Sequence, residues 1–155
     1  MLLSGVTAGR MGIFFSILHN IQYSMVWGME VTMNIYLLAA AVLSAAVCLI
    51  HTFAGGRTIA VPLLKAADLH PVPKYVTYYC WHIVTIVLAM IAVMFALAAL
   101  HEGSLDLGWV ATALVTAFCL LGLAVPPLKK QKYSHMPQGW LFLPIVILGM
   151  AGGVV

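Results

Sequence analysis

Between Lys74 and Glu102 the chain carries no Asp, Glu, Lys or Arg. A helix needs about 20 apolar residues to cross the hydrocarbon of a bilayer, and an uncharged run of this length meets that requirement. The pattern recurs between Glu30 and Arg57, between Asp106 and Lys129, and again after Lys132. Of the 155 residues, 64% are hydrophobic and only 7% are charged. A soluble domain carries about a quarter charged residues. The deficit excludes a disordered chain, a nucleic-acid-binding domain and an ordinary water-soluble enzyme.

These runs predict an all-α fold, a polytopic integral membrane helical bundle forming a single membrane domain over 1–155. Its transmembrane helices fall at about 34–51, 76–100, 107–125 and 139–155. The third is expected to stop at Pro126-Pro127, because proline has no N–H to continue a helix. The fourth contains Pro144, a kink site. Segment 11–29 is also uncharged, but His19, Asn20, Gln22 and Ser24 stand in its middle. Three readings compete for it: a fifth, N-terminal span buried against the others, an interfacial helix, or an extension upstream of a protein that begins functionally near Met33. It reads poorly as a signal peptide, since its apolar part at 13–18 is short and no small-residue cleavage site follows before Glu30.

The placement of charge predicts the orientation. Arg57, Lys65 and Lys74 outnumber Asp68 in the connection after the first span, and Lys129, Lys130 and Lys132 have no acid beside them after the third. The connection after the second span holds Glu102 and Asp106 without any Lys or Arg. Basic short loops stay cytoplasmic, so those two connections belong inside and the acidic one outside, with the C-terminus outside. Arg10 and Glu30 fit the same scheme if 11–29 spans. The membrane expected is a cell inner or plasma membrane. The six basic side chains are candidate contacts for anionic lipid head groups, at about 1 kcal/mol each near the surface. Gly55-Gly56-Arg57 reads as a flexible helix exit or a weak anion-binding turn, and 59–67 as a short helix lying flat in the interface.

The two basic connections echo each other. Ala60-Val61-Pro62-Leu63-Leu64-Lys65 precedes His70-Pro71, and Ala124-Val125-Pro126-Pro127-Leu128-Lys129 precedes His135-Met136-Pro137. Repeated hairpins produce such an echo, and so does ordinary turn chemistry.

Polar residues inside apolar spans carry the candidate chemistry. Ser44, Cys48 and His51 share one face of the first span, and Tyr78, His82 and Thr85 one face of the second. An antiparallel hairpin sets His51 near Tyr78, Cys48 near His82 and Ser44 near Thr85, an inward polar seam. Such a seam serves as interhelical hydrogen bonding, worth roughly 0.6 kcal/mol per pair, or as a pocket that handles a ligand or protons. A haem or metal ion held by His51 and His82, with Cys48 or His70, is the remaining alternative, although no His-x-x-His or Cys-x-x-Cys-His spacing supports it. Cys48, Cys80 and Cys119 lie in apolar stretches and read as packing residues rather than a disulfide framework. Gly149 and Gly153, with the alanines of the first span, allow close helix approach within the bundle or against another chain. Trp81, Trp109 and Trp140, with Trp27 if 11–29 spans, read as interfacial anchors.

No serine-nucleophile, zinc-protease or phosphate-loop motif occurs. The function expected is therefore a small non-catalytic accessory or scaffold subunit of a membrane complex, in contact with the lipid bilayer and with a membrane protein partner or a second copy. The alternative is a membrane protein handling a small molecule, protons or a redox cofactor at His51 and His82.

Overall fold

The structure is a computed structural model that describes residues 33–154. Segment 11–29 and the readings attached to Arg10, His19, Trp27 and Glu30 lie outside the described residues. Helix α1 runs over Ile35–Lys65, α2 over Pro71–Leu100, α3 over Leu105–Leu128 and α4 over Gln138–Val154. A single 3₁₀ turn, Glu102–Ser104, joins α2 to α3. Among the described residues the fold is all-α. The first three helices are long and apolar enough to cross a membrane, and α4 is a shorter apolar helix of 17 residues. At 1.5 Å per residue α2 is about 45 Å long and α4 about 26 Å.

Each helix packs on two neighbours, α1 on α2 and α4, and α3 on α2 and α4. The short connections make sequential neighbours antiparallel. Small residues set the spacing. At one end Leu37, fully buried, fills the space beside Gly108 of α3 and Gly152 of α4. Midway, buried Phe95 of α2 and Thr112 of α3 both lie against Gly149. At the other end the backbones of Gly122 and Gly139 touch, and Cys119 Sγ donates to the Gly139 carbonyl at 3.3 Å. Gly149 and Gly153 thus serve packing inside the bundle, the latter against Trp109.

Asn34 closes the first end. Its side-chain oxygen caps α1 by accepting from Leu37 N at 3.1 Å, and its Nδ2 donates to the Gly152 carbonyl at 2.8 Å. Its backbone N–H donates to the Ala99 carbonyl at 3.0 Å. One residue therefore joins the start of α1 to the last turns of α2 and α4.

Three helix ends differ from the sequence expectation. The first helix does not exit at 51–57 but continues to Lys65, so 59–67 is not a separate surface helix and Gly55-Gly56-Arg57 is not a turn. It continues by widening into a π-helix over Ile50–Ala60. Thr52 and Thr58 turn their hydroxyls back onto the carbonyls four residues earlier, at 2.8 and 2.9 Å, a habit that loosens the backbone ladder. The second helix begins at Pro71 rather than near 76. Prolines 71 and 73 sit where no N–H is required, and His70 Nδ1 accepts from Val72 N at 3.3 Å as the cap.

The third difference is at Pro126-Pro127, which lie inside α3 instead of ending it. A proline orphans the carbonyl four residues before it. Pro127 orphans Leu123, whose carbonyl takes the Tyr133 hydroxyl at 3.0 Å. The helix then ends in a Schellman motif: Gln131 N donates to the Pro126 carbonyl at 2.8 Å and Lys130 N to that of Pro127 at 3.2 Å. This motif needs a left-handed residue, and Lys130 supplies it at φ 53. Glycine adopts that conformation without the Cβ penalty, so Lys130→Gly is expected to raise the unfolding free energy by about 1 kcal/mol in detergent denaturation.

Candidate functional site

The α1–α2 seam forms in a register about one turn away from the expected one. Cys48 Sγ donates to the Thr85 carbonyl at 3.7 Å, so Cys48 sits beside Thr85 rather than His82. His51 meets Trp81, not Tyr78. The two rings stack with centroids 3.9 Å apart and planes inclined by 16°, and His51 Nε2 lies 3.4 Å from the Trp81 carbonyl. Thr85 donates to the same carbonyl at 3.1 Å. Ser44 is buried and satisfied on its own helix, donating to the Ala40 carbonyl at 2.7 Å.

His82 does not join the seam. It is exposed, and its ring meets Tyr78 edge-on at 4.6 Å, one turn back on its own helix. The reason is angular. Trp81, Thr85 and Leu88 form the α2 stripe that faces inward, and His82 stands about 100° round from Trp81. The structure thus pairs His51 with Trp81 and His82 with Tyr78, and it does not bring the two imidazoles to one ligand. Among the described residues no group of three or more His, Cys, Asp or Glu side chains is placed to hold a metal ion.

Trp81 is the residue that reasoning from sequence missed as a site member. Gly55 makes room for it: a Cβ at Gly55 would stand 2.7 Å from the indole Cη2. The signal was present in the spacing of Trp81, Thr85 and Leu88, which places the indole on the inward stripe. The same glycine that reads as a helix exit is a seat for the ring on the widened part of α1.

The remaining polar groups are consumed by backbone carbonyls. Thr112 donates to Gly108 and Thr116 to Thr112, both at 2.7 Å. No buried side-chain nitrogen or oxygen among the described residues lacks a hydrogen-bond partner. The candidate lipid contacts divide simply: Arg57, Lys65, Lys129, Lys130 and Lys132 are exposed, and Lys74 is half-buried. Chemically, the seam holds one imidazole flat against an indole under a wide helical turn. That arrangement fastens two helices, and it leaves Nε2 of His51 engaged with the Trp81 carbonyl. Compared with protein-family models, curated proteins and solved structures, the chain matches none of them.

Proposed function

We propose that this chain is an integral membrane protein whose described residues cross the bilayer four times, and that it acts without catalysis, as an accessory or scaffold subunit of a membrane complex. The observation that carries this reading is the way the polar residues of the bundle are used. Ser44, Cys48, Thr85, Thr112, Thr116 and Cys119 each donate to a backbone carbonyl, on their own helix or the next. Four of these bonds close back on the donor's own helix, those of Cys48 and Cys119 cross to a neighbouring helix, and the six groups converge on no substrate. The basic connections lie on the cytoplasmic side, against anionic head groups, and the 101–106 connection lies opposite. The test is purification of the tagged full chain in mild detergent, followed by native mass measurement. A stoichiometric assembly with another membrane protein is expected, and a particle containing this chain alone contradicts the subunit role.

A second reading rests on His51, a half-buried imidazole stacked on an indole within a helix long enough to span. In that reading the seam handles protons or a small ligand from the cytoplasmic side. His51→Gln then removes an activity while the bundle keeps its stability. Loss of stability alone assigns the ring to helix packing, and absence of a Soret band in the purified protein dismisses haem.

A further inference from the structure

The π-helix Ile50–Ala60 runs for 11 residues inside α1, with α-helix on both sides of it. Most π-helical stretches are a single turn, and they concentrate at functional sites. Burial along the segment follows the wide turn. His51, Gly55, Gly56 and Ala60 are covered, at spacings of four and five, and the residues between them are exposed. A stripe on an α-helix repeats at three and four. The neighbour on the covered side is α2, whose Trp81 indole stacks on His51 and fills the space over Gly55.

The same residues admit a second arrangement. Each step turns about 100° in an α-helix and about 80° in a π-helix. With His51 kept against Trp81, α-geometry presents Ala54, Gly55, Thr58 and Pro62 to α2 in place of Gly55, Gly56 and Ala60. Both sets are uncharged and free of large side chains, and Gly55, the seat of the indole, belongs to both. Arg57 stays off the seam in either. The Thr52 and Thr58 hydroxyls sit on the carbonyls of Cys48 and Ala54, the acceptors four residues back that an α-helical ladder uses. We infer that 50–60 is a two-state joint, in which the π-helix interconverts with an α-helix while the His51–Trp81 stack holds. Two packings of one sequence are one physical basis of switching. Between His51 and Ala60 the two geometries differ by about half a turn. Conversion therefore carries Arg57 from one flank of the seam to the other and turns Val61–Lys65 to its opposite face. The residues between Lys65 and Pro71 are not helical and absorb the rotation. The joint sets which way the basic end of α1 faces, and it rests on neither functional reading above.

The test uses the full chain in its own membranes, in a Cys80→Ser background. Lys74, half-buried, stands on α2 about 10 Å from the stack, at the depth of Ala60 in the π-helix and of Thr58 in an α-helix. Lys74→Cys is combined in turn with Ala60→Cys, with Thr58→Cys and with Arg57→Cys, and each pair is oxidised with copper phenanthroline. Disulfides 60–74 and 58–74 are both expected, several-fold above the 57–74 reference. The 60–74 bond alone means a rigid π-helix, the 58–74 bond alone means a plain α-helix, and either result, or neither bond, overturns the inference. A second measurement needs a single cysteine. Thr58 is exposed in the π-helix, so Thr58→Cys should react readily with a soluble maleimide. Adding Ala60→Leu should slow that reaction several-fold, because a leucine at 60 is accommodated only on the outward side that α-geometry gives it. Misfolding would speed the labelling instead, so an unchanged or faster rate overturns the inference.

Discussion

Gly139→Ala is expected to lower the unfolding free energy by about 3 kcal/mol, near the upper end for overpacking a filled site. The added Cβ would stand 2.6 Å from the Gly122 carbonyl carbon and 2.7 Å from Leu123 N. Both obstacles are backbone, so no rotamer change relieves the clash and α3 and α4 must separate. Separation also breaks the bond from Cys119 to the Gly139 carbonyl. The contrast is Gly56→Ala, whose Cβ meets nothing within 4 Å. That change replaces a helical glycine with a better helix former and is expected to be neutral or to stabilise by up to about 1 kcal/mol. Denaturation of both variants in mixed micelles checks the pair. Equal stability of the two variants would mean that α3 and α4 do not cross at these glycines.

The second large effect belongs to Asn34. Asn34→Ala removes the cap of α1 and the bond to Gly152 together. Losing a helix cap costs about 1 kcal/mol, and leaving a part-buried carbonyl without its donor adds a similar amount. The expected loss is about 2 kcal/mol. Asn34→Asp keeps an oxygen for Leu37 N but has no N–H for the Gly152 carbonyl, so it should fall between wild type and alanine. If Asp and Ala prove equally damaging, the cap contributes nothing and the cross-helix bond carries the effect.

The helices were legible because lipid-compatible runs and charged breaks are long-range composition, which survives any detail of packing. The helix ends were not, and the reason is local. A proline need not end a helix when its orphaned carbonyl finds another donor, and Tyr133, ten residues on from Leu123, provides one for Pro127. A glycine pair marks an exit only when no neighbour fills the space over it, and Trp81 does so at Gly55. The seam was legible in its members on α1, since Cys48 and His51 both face α2. Its register was not, because matching depths across a hairpin requires knowing where the turn lies. The unforeseen continuation of α1 to Lys65 and the early start of α2 at Pro71 moved that turn.

The central claim is that the helices cross a membrane in alternation, with the two basic connections on one side. Cysteine accessibility in intact cells tests it most directly, using Lys65→Cys, Gly103→Cys and Lys130→Cys, each in a Cys80→Ser background. All three positions are exposed in the bundle. A membrane-impermeant maleimide added from outside should label Gly103→Cys and leave the other two unmodified until the membrane is opened. The cause is the resistance of Lys and Arg in short connections to translocation. Labelling of Lys65→Cys and Gly103→Cys from the same side would show that α2 does not cross, and would contradict the account.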